Sequence, residues 1–512
     1  MIRFLFLICL CLAAPGCTSA ADTVTRSDDD AIIRLSGSDA RSLDPQMVAD
    51  LSSIEIATDQ FEGLTRPNGL GEPEPGLASD WTVSENGLVW DFTLRPDLTF
   101  SDGEPITPDI FAKALARTRD EAGGSPHAAL FAAIDRIESP RPGVVRVILE
   151  QPFPQLPALL VHPAMAALPF HVIEKIGDAW TAQRPLVTSG AYRLTDWKLA
   201  QQITLESNPN WHGGKPRTAK IIWRPIEDAQ SAMRLMLAGG GDISGSFPAS
   251  RLKWLQDNYS DLVHVSDSLG TYYFVFNMRA PPFDDVRVRR ALSIAVDREW
   301  IARDMIAADN APAYGFVPPA LRGGALPPLP GNMKARQRQA RALLKQAGYD
   351  DSNPLRFEIR FNSSPEHRRT AIAMATMWRE IGVDAQLLNS EASLHFDALR
   401  RADFAMARSG WIADLPAPEN FLSIYTIAAG PQNYPGYANP EYETALKVAL
   451  AEQDAEKRAA FMRRAEQILL ADVPFIPLYY YNSRSLVQTD IVGWTANISG
   501  AHPSRLIYRK PQ

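Results

Sequence analysis

No thiol lies beyond residue 17. The three cysteines, Cys9, Cys11 and Cys17, all fall in the opening segment, so the body of the chain can form no disulfide and its stability must come from its core. Histidine is sparse as well. The eight present show no H-E-x-x-H spacing, and without body cysteines a zinc site would need scattered histidines and acids, so no metal and no other cofactor is expected. No G-x-S-x-G occurs, which disfavours a nucleophile elbow. A Ser-His-Asp triad or a carboxylate pair need not be local in sequence, so a secreted hydrolase stays open as an alternative. Positive charge is in deficit: 52 Lys and Arg against 59 Asp and Glu give a net charge of −7, which argues against a nucleic-acid surface. No repeat of solenoid length is visible.

What is present starts with an export signal over residues 1–21: Arg3, then an uninterrupted apolar run from Phe4 to Ala14, too short to span a membrane as a mature anchor. Ala14-Pro15-Gly16-Cys17 is similar to a lipoprotein cleavage box, with lipid expected on Cys17, although Ala14 and Pro15 depart from the usual residues. Ordinary cleavage after Ala20 or Ala21 is the other reading. Thr18 to Asp30 is a polar tether. The 512 residues are too many for one core, and 46% apolar with 22% charged is a soluble composition, so two or three lobes are expected. Forty prolines suit short strands and long connections better than a helical bundle.

Strands and helices alternate along the body. Strands are expected at Ile32–Leu35, Trp90–Leu94, Val144–Leu149, Pro157–Val161, Gly190–Leu194, Gln202–Leu205, Ala219–Arg224, Tyr272–Asn277, Arg356–Phe361, Val383–Leu388 and from Phe475 to Tyr481. Helices are expected from Ile54 towards Gly63, after the Thr107 cap with Pro108 at its first position, over Ala229–Ala238, after Asp285, over Arg336–Ala347 and Pro365–Ile381, and from Pro440 to Leu470 with at most one break. Gly239-Gly240-Gly241 tempts a phosphate-loop reading, but no Lys-Ser/Thr follows, and a helix C-terminus fits better. This alternation predicts α/β lobes.

One stretch stands out. A strand-like run from Phe404 meets Gly410, where backbone can approach another chain closely, and continues through Trp411 to the lone carboxylate of Asp414 in apolar surroundings. An acid there wants a cation, either a structural Arg or Lys or a positively charged ligand group such as a peptide amine. A second stretch, Asn362 to His367, places a hydroxyl cap, Pro365 and then His367 in a first helical turn, an end that attracts carboxylate. The alternative is a surface histidine beside a cap.

Four blocks then carry a resemblance: Glu74 to Trp81 through Phe100-Ser101-Asp102-Gly103; Ser189-Gly190-Ala191-Tyr192; Asn277 to Asp297; and Trp411 to Leu422. In order and spacing, over essentially all of residues 31–510, they resemble the solute-binding proteins of bacterial peptide ABC importers, extracellular family 5. The resemblance implies an α/β, periplasmic binding protein-like fold of two lobes with a hinge plus an extra small domain. The main lobe would comprise 31–61, 186–269 and 483–512, the inserted domain 62–185, and the opposing lobe 270–482. It implies a monomer that binds a short peptide without catalysis, in the periplasm or at the cell surface, and hands it to a membrane permease and its ATPase. By the same resemblance Asp414 receives the peptide amine and Arg408 and His367 its carboxylate at different lengths. Gly410 and Ile412 offer main chain to the peptide, and Tyr481 lays a ring against it. Trp411 and Tyr273 are further contacts, and His127 stands where oligopeptide binders have a Tyr. Some relatives join the positions of Gly270 and Ile412 by a disulfide, and some place an acid one residue before Asp50. The family has also drifted to murein peptides, opines, metal chelates and haem, which remain alternative ligands.

Overall fold

Ten strands join in one mixed sheet in the order Val383–Ser390, Leu355–Asn362, Met406–Ile412, Val263–Phe276, Phe475–Val487, Ile243–Ser244, Ala31–Ser36, Lys220–Pro225, Gln202–Ser207, Tyr192–Lys198. The computed structural model describes residues 31–120, 124–128 and 130–511; the export segment and Cys17 lie outside the described residues. The two longest strands, Val263–Phe276 and Phe475–Val487, run antiparallel through the middle of the sheet. Val263 to Asp267 pair with Leu486 to Asn482, and Thr271 to Val275 pair with Tyr480 to Phe475, with the register broken between Asp267 and Thr271. That break leaves Gly270 and Tyr481 out of the ladder at the middle of the pair. A Cβ on Gly270 would lie 2.6 Å from the Tyr481 ring, so only glycine lets the ring cross there.

Side-chain alternation decides how the central strand is covered. On Val263–Phe276, Tyr272, Phe274 and Phe276 enter one apolar cluster with Trp378, Ile359 and Met374. Tyr273 and Val275 enter another, with Phe316, Phe421 and Phe475. Both faces are therefore buried, each large ring contributing about 1.5–3 kcal/mol, and the run reads as continuously apolar because helices cover it on both sides. The helices Pro365–Arg379 and Ala455–Asp472 supply much of this cover. A separate four-stranded antiparallel sheet, ordered Ala78–Val83, Val89–Leu94, Val144–Leu149, Ile134–Arg141, packs its apolar residues into the largest cluster.

Most expected elements stand within a residue or two of their sequence positions, and the Gly239 backbone at φ +75° ends the Ala229–Leu237 helix as a C-terminus should. The two central strands run longer than expected, one starting at Val263 and the other reaching Val487, the Gly190–Leu194 strand is instead Tyr192–Lys198, and three further details differ. Pro157–Val161 is not a strand: Leu156–Leu159 forms a helical turn with proline early in it, where the missing N–H costs nothing. The Thr107 hydroxyl donates to Asp109 Oδ1 at 2.6 Å rather than capping backbone. The helix Ala392–Arg400, capped by the Glu391 carboxylate, was not expected; acidic caps are weaker sequence signals than Ser or Thr followed by Pro.

Candidate functional site

The Met406–Ile412 strand pairs fully along one edge, from Gly270 opposite Ile412 to Phe276 opposite Met406. Along its other edge it pairs only at Met406 and Ala407, with Ile359 and Arg360. From Arg408 to Ile412 that edge has no strand partner among the described residues. Unpaired N–H and C=O groups on an open edge are a template for an added strand.

The register sorts the candidate residues by face. Arg408, Gly410 and Ile412 stand opposite Phe274, Tyr272 and Gly270 and share a face. Ser409 and Trp411 stand opposite Tyr273 and Thr271 and share the other. Tyr273 stands on the face away from Arg408: it is 1% exposed and packs edge-on against Phe316 and Phe475 inside the core. Trp411 lies on the Tyr273 side too, half-buried, with its indole N–H donating to Asn420 Oδ1 at 3.1 Å. Tyr272, next to Tyr273 and also fully buried, shares the face of Arg408 and Gly410; sequence reasoning did not single it out, because that placement comes from cross-strand register and not from a signal along the chain.

Tyr272 is the floor of the Arg408 group. The Arg408 guanidinium lies 4.6 Å from the centre of its ring, and the ring is stacked on Tyr479 at 4.6 Å. Arg408 donates to the Tyr481 hydroxyl at 2.8 Å and to Asn362 Oδ1 at 3.3 Å. No carboxylate lies within 4.0 Å of it among the described residues, so a buried guanidinium stands without a counter-ion. His395 holds its backbone: a carbonyl can only accept, so His395 Nε2 donates to the Arg408 carbonyl at 2.9 Å. Gly410 adds room, since a Cβ there would meet the Tyr481 hydroxyl at 2.5 Å.

The Tyr272 hydroxyl lies 3.1 Å from His367 Nδ1. Burial, with the charge of Arg408 and then His395, pushes the His367 imidazole down to about 3, so it is neutral and meets a ligand as a hydrogen-bonding group. The helix end beside it is partly occupied by the protein's own acid: Glu366 sits in the first turn and accepts from the Tyr479 hydroxyl at 2.7 Å.

Asp414 lies past the end of the strand, where the chain turns into Leu415 and Pro416. Its carboxylate is open to solvent, yet it has no hydrogen bond or ion pair among the described residues. Crowding by the surrounding protein pushes its carboxyl above the usual aspartate value, and His127 acts in the opposite direction. Asp414 lines a cavity of about 180 Å3 with Ala413, Leu269, Ile54, Leu130 and His162, so segments far apart in the chain contribute to its wall. His127 donates from Nε2 to the Val48 carbonyl at 2.6 Å, and its ring lies 4.5 Å from that of His162. Burial pushes His162 down to about 3, with His127 adding to it, so His162 stays neutral. Asp50 is spent on its own helix, accepting from the Ser53 N–H at 2.9 Å.

The structure thus brings Arg408, His367, Gly410 and Tyr481 together at one end of an open strand edge. Asp414 lies beyond the other end, close enough to His127 to feel its charge, and Ile412, 65% exposed, stands between. Gly270 and Ile412 are direct partners across two strands. Among the described residues no three potential metal ligands cluster.

A model of the bacterial extracellular solute-binding proteins, family 5 (middle region), matches residues 72–433. The chain is 34% identical over 510 residues to the periplasmic oligopeptide-binding protein OppA of Escherichia coli, covering 94% of each. It superposes on the Escherichia coli murein tripeptide-binding protein MppA with a TM-score of 0.80 at 29% identity, covering 94% of this chain and 99% of that one. Haemophilus influenzae OppA, in complex with the peptide RPPGFSPFR, gives a TM-score of 0.79 at 29% identity, with 94% and 99% covered.

Proposed function

The chain belongs to the bacterial extracellular solute-binding proteins, family 5, and we propose that it is the extracytoplasmic binding component of a peptide ABC importer. It captures short peptides between two lobes in the periplasm and delivers them to the membrane permease, whose ATPase spends the ATP. The observation that carries the reading is the open strand edge at Gly410 and Ile412, with the cation of Arg408, which has no counter-ion, at one end and an unpaired acid beyond the other. A peptide supplies what each lacks. Its backbone continues the sheet irrespective of side chains, its amine meets Asp414, and its carboxylate meets Arg408 or, one residue on, His367. A strand advances about 3.4 Å per residue, so two partners are needed to serve two lengths. Tyr481 stands against this path, and His127 borders the amine end.

The lobes we assign are 31–61, 186–269 and 483–512 for the main lobe, 62–185 for the inserted small domain and 270–482 for the opposing lobe. The hinge then falls at the register break between Asp267 and Thr271, where the two central strands cross from one lobe to the other. The chain works as a monomer, without catalysis, held to the membrane by lipid on Cys17. Two measurements test the core of this reading. Calorimetry should find unmodified peptides of a few residues bound, and mass spectrometry after long incubation with the pure protein should find them intact. New cleavage products would overturn the binding-only account.

A further inference from the structure

The Asp414 cavity does not end at Asp414. A second chamber of about 120 Å3 continues from it, the two sharing Ile54, Thr58, Pro67, Ser499 and Ala501 in their walls. Its size is near that of the ~150 Å3 cavity that holds a benzene ring. Leu51 and Ile54 make one part of its lining apolar; its charged groups are Arg34, Glu55 and Asp59, with His502 as a further titratable neighbour. Burial pushes His502 down to about 3, followed by the charge of Arg34, so it is neutral.

The remaining three groups do not balance. Arg34 Nη1 donates to the His502 carbonyl and to Ser504 Oγ, both at 2.7 Å, and the guanidinium lies 4.1 Å over the Trp223 ring. Ser504 passes the contact on: its hydroxyl donates to Asp59 Oδ2 at 2.6 Å and its N–H to Oδ1 at 2.9 Å, and Trp223 Nε1 donates to Oδ2 at 3.3 Å. Burial pushes the Asp59 carboxyl up, and Arg34, Ser504 and Trp223 act against it; because both of its oxygens accept from these donors, Asp59 is the group that offsets Arg34. Glu55 is left over. It is half-buried, lines the chamber and has no hydrogen bond or ion pair among the described residues. A group of this kind keeps its proton until a cation arrives.

We propose that this chamber is the subsite for the side chain of the ligand residue whose amine Asp414 receives, and that Glu55 selects a cationic side chain there, lysine or arginine. Ile54, Pro67 and Ala501, in the wall the two chambers share, flank the methylene stem, and Glu55 takes the charged head. The inference rests on the peptide reading and adds a preference at the first ligand residue. In the unliganded chain burial first, offset by Arg34 and reinforced by Asp59, holds the Glu55 carboxyl at about 7. Binding a cation therefore trades a proton for the ligand's charge. The preference should strengthen as pH rises towards and through 7, because the ionised carboxylate is the form that pairs.

The test compares lysine-alanine-alanine with norleucine-alanine-alanine, which have nearly the same length and stem but differ in charge. The lysine peptide should bind about ten- to a hundredfold more tightly, the range for a hydrogen bond to a charged group. Glu55→Gln, which keeps the shape, should bring that ratio to near one and leave the norleucine peptide within about twofold of its wild-type affinity. Calorimetry at pH 6 in buffers of different ionisation heat should show close to one proton released with the lysine peptide, beyond any released with norleucine. Equal affinities in the wild type, or a preference that survives Glu55→Gln, would overturn the subsite and leave the peptide reading standing. If neither peptide binds, the peptide reading falls and the subsite with it.

Discussion

Replacing Asp414 by alanine and acetylating the ligand's amine strike one contact from its two sides. In the unliganded chain Asp414 has no cation of its own among the described residues, and its carboxyl is pushed up by its crowded setting. An exposed ion pair is worth about 0.2–1 kcal/mol, and breaking a fully buried one costs about 3–5 kcal/mol. Asp414 is open to solvent at the mouth of a cavity of about 180 Å3, so the contact falls between, at about 1.5–3 kcal/mol for a hydrogen bond to a charged group. At ~1.4 kcal/mol per decade, each change alone should weaken binding roughly ten- to a hundredfold. Together they should weaken it hardly more than either, because once one partner is gone the other has nothing to lose. Without ligand, Asp414→Ala should leave stability within about 0.5 kcal/mol, since no internal pair is broken. Acidification should mimic the mutation. The amine needs the ionised carboxylate, whose pKa stands above the usual aspartate value, so affinity falls as pH drops through that raised value; the alanine variant lacks this term. Calorimetry on all four combinations, with melting curves of the free proteins, decides the matter. Fully additive losses, or a melting temperature several degrees lower without ligand, would refute the amine assignment in favour of an internal pair.

Arg408→Ala should weaken shorter peptides more and His367→Ala longer ones; Arg408→Lys should not restore the loss, because an ammonium lacks the planar fork that stacks on Tyr272 and reaches both Tyr481 and Asn362. Equal losses at every length would reject the division of labour. Gly410→Ala places a methyl 2.5 Å from the Tyr481 hydroxyl, so the ring must move off Arg408; peptide affinity should drop about tenfold or more, and an unchanged dissociation constant would show that the ring's placement is immaterial. Away from the candidate site, Arg458 and Glu419 form a buried pair at 2.6 Å, and Arg458→Ala should cost about 3–5 kcal/mol and lower the thermal midpoint without altering length preference. Cys17→Ser should move the mature protein into the soluble fraction; unchanged localisation with an N-terminus near Asp22 would reject the lipid anchor.

Much of the ladder could be read in the sequence because its signals are local. Asn332 and Ser364 cap helices where such residues should, and Leu355–Asn362 alternates buried and exposed as a half-covered strand does. The order of long blocks made the family legible, since a fold repeated with the same spacing leaves the same punctuation of Pro, Gly and Asp along the chain. Tyr273 shows the limit. Tyr272-Tyr273-Phe274-Val275-Phe276 is apolar throughout, so no alternation marks which ring shares the Arg408 face. That was settled by pairing with Arg408 and Gly410, more than 130 residues away, through a register that only the folded sheet defines. The sequence likewise determined that Asp414 is an acid in apolar company, but whether a partner waits for it depends on every cation in the fold. Glu55 lies further still from sequence reasoning: it is an ordinary helix residue until Arg34 and Asp59 come to line the same chamber, with Asp59 already offsetting Arg34. Propensity and capping act over a few residues and can be read along the chain, whereas charge balance and the face a side chain takes are sums over neighbours that only tertiary structure brings together.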